Sequence, residues 1–99
     1  MLEIDYDQKK GGWQDPHIRP HEEFTLDPTN FALQYNVECF EGLKAYRTPD
    51  DRVSLFRVDR NYERLNSSHA QLGFPIFDVL SFTECLLKLI DIEREWIPK

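Results

Sequence analysis

Val58-Asp59-Arg60-Asn61-Tyr62-Glu63-Arg64-Leu65-Asn66-Ser67-Ser68-His69-Ala70-Gln71-Leu72-Gly73-Phe74-Pro75 is the stretch that decides how this chain folds. Val58, Tyr62, Leu65, His69 and Leu72 recur at intervals of four, three, four and three, so a helix places them on one stripe. Gly73 suits a left-handed helix stop, and Pro75 cannot continue the helix; the spacing predicts a helix over about 57–73. Toward the C-terminus a second helix is expected over about 79–93, with Phe82, Leu86, Leu89 and Ile90 as its buried face. Asp78 is its expected N-cap; a later start would use Ser81, with Glu84 completing a capping box.

Working outward in the other direction, Val53 to Phe56 and Cys39 to Arg47 read as strands flanking the turn cluster Thr48-Pro49-Asp50-Asp51, which predicts a β-hairpin around 48–52. Asp27-Pro28-Thr29 reads as a helix start, followed by a turn or two through Ala32, Leu33 and Gln34. Residues 13–30 contain Pro16, Pro20 and Pro28 and read as extended chain and turns, with one short strand at Phe24-Thr25-Leu26. Leu2, Ile4 and Tyr6 alternate with Glu3 and Asp5, the period of a half-buried strand, which the Lys9-Lys10-Gly11-Gly12 stretch ends. The expected fold class is α+β: a few antiparallel strands packed with two helices, in one domain with no internal boundary.

With 99 residues, 18 acidic and 12 basic side chains, the net charge is −6. That balance argues against a general affinity for nucleic acid, which needs a basic footprint on phosphates. No apolar run approaches the ~18 residues of a membrane span, and no targeting signal is present in this chain. Cys39 and Cys85 form no CxxC pair, and two buried free thiols are expected instead of a disulfide or zinc site. His17 and His21 straddle Pro20 and cannot share a helix face as a metal pair, so they read as loop histidines; His69 reads as a hydrogen-bonded residue of the helix stripe. No metal site is expected.

Arg57, Arg60 and Arg64 lie along one side of the first long helix, a pattern that a solvated basic face also explains. Arg64 has no carboxylate three or four residues away on its own helix, so an external anion such as phosphate would suit its guanidinium. Tyr35, Phe40 and Gly42 combine aromatics with a glycine, which fits either a ligand pocket or ordinary core packing.

Ala32-Leu33-Gln34-Tyr35, followed by Cys39-Phe40-Glu41-Gly42-Leu43-Lys44-Ala45-Tyr46-Arg47, closely resembles the signature of eukaryotic-type branched-chain amino-acid aminotransferases, fold-type IV pyridoxal phosphate enzymes. Further support comes from Leu55-Phe56-Arg57, Asn61-Tyr62-Glu63-Arg64-Leu65 and Glu93-Arg94-Glu95-Trp96-Ile97-Pro98, so the likeness covers nearly all of the chain. Gln34 and Cys39 depart from the family pattern and leave the aromatic positions intact. The resemblance implies an N-terminal small-domain fragment of a homodimeric transaminase. The substrates it implies are leucine, isoleucine or valine with 2-oxoglutarate, in a cytoplasmic or mitochondrial setting. It further implies that Arg64 binds the phosphate of pyridoxal 5'-phosphate, and that Tyr35, Phe40 and Gly42 line the substrate pocket. None of Lys9, Lys10, Lys44, Lys88 and Lys99 sits in the context of the family's Schiff-base lysine, so no residue here is expected to be catalytic and the chain alone is expected to be inactive. A non-catalytic module pairing with full-length subunits, or part of another fold-type IV aminotransferase or lyase, are the alternatives.

Overall fold

The computed structural model describes all residues, 1–99. Its elements run β1 (Leu2–Glu3), β2 (Tyr6–Asp7), a 3-10 turn (Gln8–Lys10), β3 (Gly12–Trp13), β4 (His17–Ile18), α1 (Phe31–Tyr35), β5 (Ala45–Arg47), β6 (Val53–Leu55), α2 (Val58–Leu72), α3 (Val79–Ile92) and a second 3-10 turn (Arg94–Trp96). The α+β class is as expected.

Helix α2 ends where its sequence says it should. Gly73 adopts φ 73°, and Phe74 donates its N–H back to the His69 carbonyl at 2.8 Å, satisfying an end-of-helix acceptor. Asp78 caps α3 by accepting from the Ser81 N–H at 2.7 Å, so the earlier of the two possible starts is the one used. Between the helices, Asn66 grips the Phe77 peptide from both sides, donating to its carbonyl at 2.8 Å and accepting its N–H at 3.0 Å. That clamp sets Phe77 against Tyr62 and Phe82, with ring centroids 6.1 and 4.9 Å away, while Tyr62 and Phe82 meet edge-on at 4.7 Å. His69 bridges Phe74 and Phe77, and its Nδ1 donates to the Pro75 carbonyl at 2.8 Å, as its place on the stripe implies.

The N-terminal segment departs from the single strand expected over 1–6. Leu2 and Glu3 pair with Ile18 and His17, whereas Tyr6 and Asp7 pair with Trp13 and Gly12. Two residues, Ile4 and Asp5, therefore face three, Gln14, Asp15 and Pro16, and the register slips by one. Pro16 has no N–H to offer a ladder there, so one hairpin is divided into two short ribbons. His17 consequently lies in a strand and not in a loop; His21 is exposed with no regular structure. No strand forms at 24–26, and α1 starts from Asn30, whose side chain accepts the Ala32 N–H; Asp27 instead closes a local turn on Thr29.

The second hairpin is where it was expected but shorter: β5 and β6 pair Ala45 with Leu55, Tyr46 with Ser54 and Arg47 with Val53. Thr48 holds the turn by accepting the Arg52 N–H at 3.0 Å and donating to Asp50 at 2.6 Å. The three ribbons stay separate and form no common sheet.

Packing around this framework is open. Tyr62, 5% exposed, is the one fully enclosed residue, and the expected buried face of α3 is only half-buried, as are both free thiols. The accessible surface is 8183 Å² against about 5,900 Å² for a compact monomer of this mass. The radius of gyration is 15.3 Å where about 13 Å is usual. An apolar cleft of about 540 Å³, walled by Leu2, Trp13, Leu65, Phe77, Phe82 and Cys85, separates the first ribbon from the helices. The aromatic cluster joins the layers without closing them.

Candidate functional site

A second cleft, of about 460 Å³, lies where the chain entering β5 meets the start of α2. Gly42, Leu43, Lys44 and Tyr46 line it from the segment that enters β5. Arg60 and Arg64 reach it from α2, and Arg57 from the residue just before that helix. The basic side noted in the sequence is therefore a wall of a cavity. Arg57 makes the corner between β6 and α2 in the left-handed region, φ 50° and ψ 47°.

Arg60 pairs with Glu63 at 2.7 Å, whereas Lys44 and Arg57 pair with no carboxylate. Arg64 is not the orphan its helix suggested. Glu41, 23 residues earlier in the chain, engages it in a two-pronged pair, accepting from Nε at 2.7 Å and from Nη2. Helix spacing tests only partners on the same helix, which is why this pair was not anticipated. Nη1 of Arg64 makes no hydrogen bond within the chain, and the side chain remains 65% exposed.

Glu41 is fixed more firmly than its partner, with only 10% of its side chain exposed. It also accepts from Asn61 Nδ2 at 3.1 Å and from the Gly42 N–H at 3.0 Å, while Asn61 donates to the Gly42 carbonyl at 2.8 Å. The Arg64 guanidinium is the main reason its carboxyl is held down at about 2, opposed by desolvation and aided by Asn61. Glu3 beside Arg19, Asp51 beside Arg47, and Asp78 at the α3 cap are lowered as well. Each binds its proton more weakly folded than unfolded, so its contribution is present above the ordinary carboxylate range and is lost as pH falls below it, for Glu41 toward about 2. Thermal melts between pH 6 and 2 are expected to show a flat midpoint down to about pH 4.5 and a progressive fall below it. A midpoint that rises on acidification would contradict these pairs.

The four residues singled out from the sequence divide into two groups. Gly42 and Arg64 share the basic cleft, and a Cβ built on Gly42 would meet nothing within 4 Å, so a side chain there would project into open space. Tyr35 is 71% exposed, its ring edge-on to Phe31 at 5.5 Å, and Phe40 is 91% exposed; neither lines the cleft. Lys44, Glu41 and Asn61 are the residues of this site that pattern reading passed over. The available signal for Lys44 was its place two residues after Gly42, a cation beside the one glycine of that segment.

The cleft fits a phosphate monoester: two unpaired cations, a third with donors to spare, and a position without a side chain. No group of His, Cys, Asp and Glu is arranged to hold a metal ion, and no helix is long and apolar enough to cross a membrane.

No protein-family model matches the chain. Among curated proteins it is 43% identical to branched-chain-amino-acid transaminase 1 of Bacillus subtilis over 99 residues, all of this chain and 28% of that protein. It is 42% identical to the cytosolic branched-chain-amino-acid aminotransferase of Rattus norvegicus, and 40% identical to the mitochondrial one of Bos taurus. Each match extends over 98 residues, 99% of this chain and 24% and 25% of those proteins. The chain thus spans about a quarter of the length of these relatives, in their N-terminal part.

Proposed function

From a chain related to branched-chain aminotransferases along its entire length, we propose that residues 1–99 supply the cofactor-phosphate anchor and part of the substrate-pocket wall of a branched-chain amino-acid transaminase. The observation that carries this reading is the meeting of Gly42 and Arg64, from two separate signature segments, in one cleft with the unpaired Lys44 and Arg57.

Pyridoxal 5'-phosphate, when bound, supplies an electron-accepting ring that stabilises negative charge at the substrate α-carbon. The residues of this chain do the holding. Lys44 and Arg57 offset the phosphate charge, and Arg64 offers its Nη1 donors in a fixed plane, the geometry in which guanidinium recognises phosphate oxygens best. Gly42 leaves space at the same wall. Phe40 and Tyr35 present bare aromatic surface, suited to the isopropyl or sec-butyl groups of valine, leucine and isoleucine, whose burial yields roughly 25 cal/mol per Å². Their exposure supports a pocket completed by other parts of a fold-type IV enzyme, including the second subunit of a homodimer. Transfer to 2-oxoglutarate would then need the lysine-bearing remainder of such an enzyme. Cytoplasm or mitochondrion both suit this reading, since relatives of both kinds match.

The test is a chimera in which residues 1–99 replace the corresponding quarter of the Bacillus subtilis transaminase. It is expected to move the amino group of leucine to 2-oxoglutarate. A chimera that folds and dimerises like the parent yet transfers nothing would reject the assignment.

A further inference from the structure

We propose that Glu41 is a positioning residue for the anion site, holding the Arg64 guanidinium ready for a phosphate group; this rests on the reading of the cleft given above. An arginine that is 65% exposed would ordinarily sample many rotamers, and ordering it at the moment of binding would weaken the anion's hold. Here Glu41 takes the Nε edge of the guanidinium and fixes its plane before any ligand arrives, leaving Nη1 free.

The alternative is that Glu41 is itself the anion that phosphate must expel. Its other partners argue against that. Asn61 and the Gly42 N–H hold the same carboxylate, and Asn61 also holds the Gly42 carbonyl, so Glu41 would stay in place if Arg64 moved away. Phosphate need not break the pair to gain donors from Arg64. Its charge is met by Lys44 and Arg57, which no carboxylate neutralises.

Arginine-specific modification by phenylglyoxal, read peptide by peptide by mass spectrometry, tests this on the cofactor-free form of the chimera described above, with inorganic phosphate as the probe. Phosphate is expected to slow modification of Arg64, and Glu41→Gln is expected to raise the phosphate concentration for half-protection by roughly tenfold. Glu41→Asp, which keeps the charge, is expected to recover part of that loss. Arg47, paired with Asp51 and Glu95 away from the cleft, reports folding and should react as slowly as before. If Arg47 becomes reactive in Glu41→Gln, Asn61→Ala is read in its place, since it loosens Glu41 without changing any charge; weaker protection of Arg64 supports the proposal and unchanged protection overturns it. Unchanged or tighter protection in a folded Glu41→Gln overturns positioning alone. Absence of protection at Arg64 in the chimera without further substitution removes the phosphate site itself, and the proposal with it.

Discussion

Tyr62→Ala is expected to remove about 3–5 kcal/mol of stability, the usual loss when a large aromatic is truncated in a packed site. For a domain whose total is commonly 5–15 kcal/mol, that leaves little cooperative structure. Tyr62 is the sole enclosed residue, and its ring contacts both Phe77 and Phe82, so it fastens α2 to α3 and to the segment between them. No other residue is fully enclosed to take over. Its hydroxyl makes no hydrogen bond within the chain, and Tyr62→Phe is therefore expected to stay within about 1 kcal/mol of the parent. Chemical denaturation of the chimera, followed by protection of the α2 and α3 backbone amides against hydrogen exchange, separates the two variants. Equal loss in both would shift the credit from packing to the hydroxyl.

The second large effect concerns the chain by itself. A surface of 8183 Å² on 99 residues is well above that of a compact monomer of this size and includes the largely exposed Phe40, Phe56, Leu80 and Trp96. The purified chain is expected to bind the dye ANS strongly, to melt over a broad range, and to elute as an expanded or self-associated species. Co-expression with the C-terminal three-quarters of a relative is expected to suppress dye binding, because that surface then has a partner. A monomer with a sharp two-state melt and no dye binding would show that the three ribbons and three helices suffice as they are.

How much of this was readable beforehand depended on sequence distance. Helix α2 was legible because its stripe, its glycine stop and its proline are all local signals, and the hairpin between β5 and β6 was legible for the same reason. The first hairpin was not, since its one-residue slip comes from Pro16 opposing Ile4 and Asp5, a pairing that no periodicity records. Arg64 was noticed for lacking a neighbour, yet its partner Glu41 stands a turn and a hairpin away in the chain. Composition could set the size of a core but not whether it closes, which depends on what else the layers meet.

Cofactor retention by the Arg64→Ala form of the chimera bears most directly on the central claim that the cleft between Gly42 and Arg64 anchors the cofactor's phosphate. After exhaustive dialysis against phosphate-free buffer, the parent chimera is expected to keep its bound pyridoxal 5'-phosphate absorbance. The variant is expected to lose it, with affinity reduced roughly tenfold or more as a phosphate oxygen gives up its charge-assisted donors. A variant that retains cofactor as tightly as its parent would contradict the claim and leave Arg64 as a surface charge paired with Glu41.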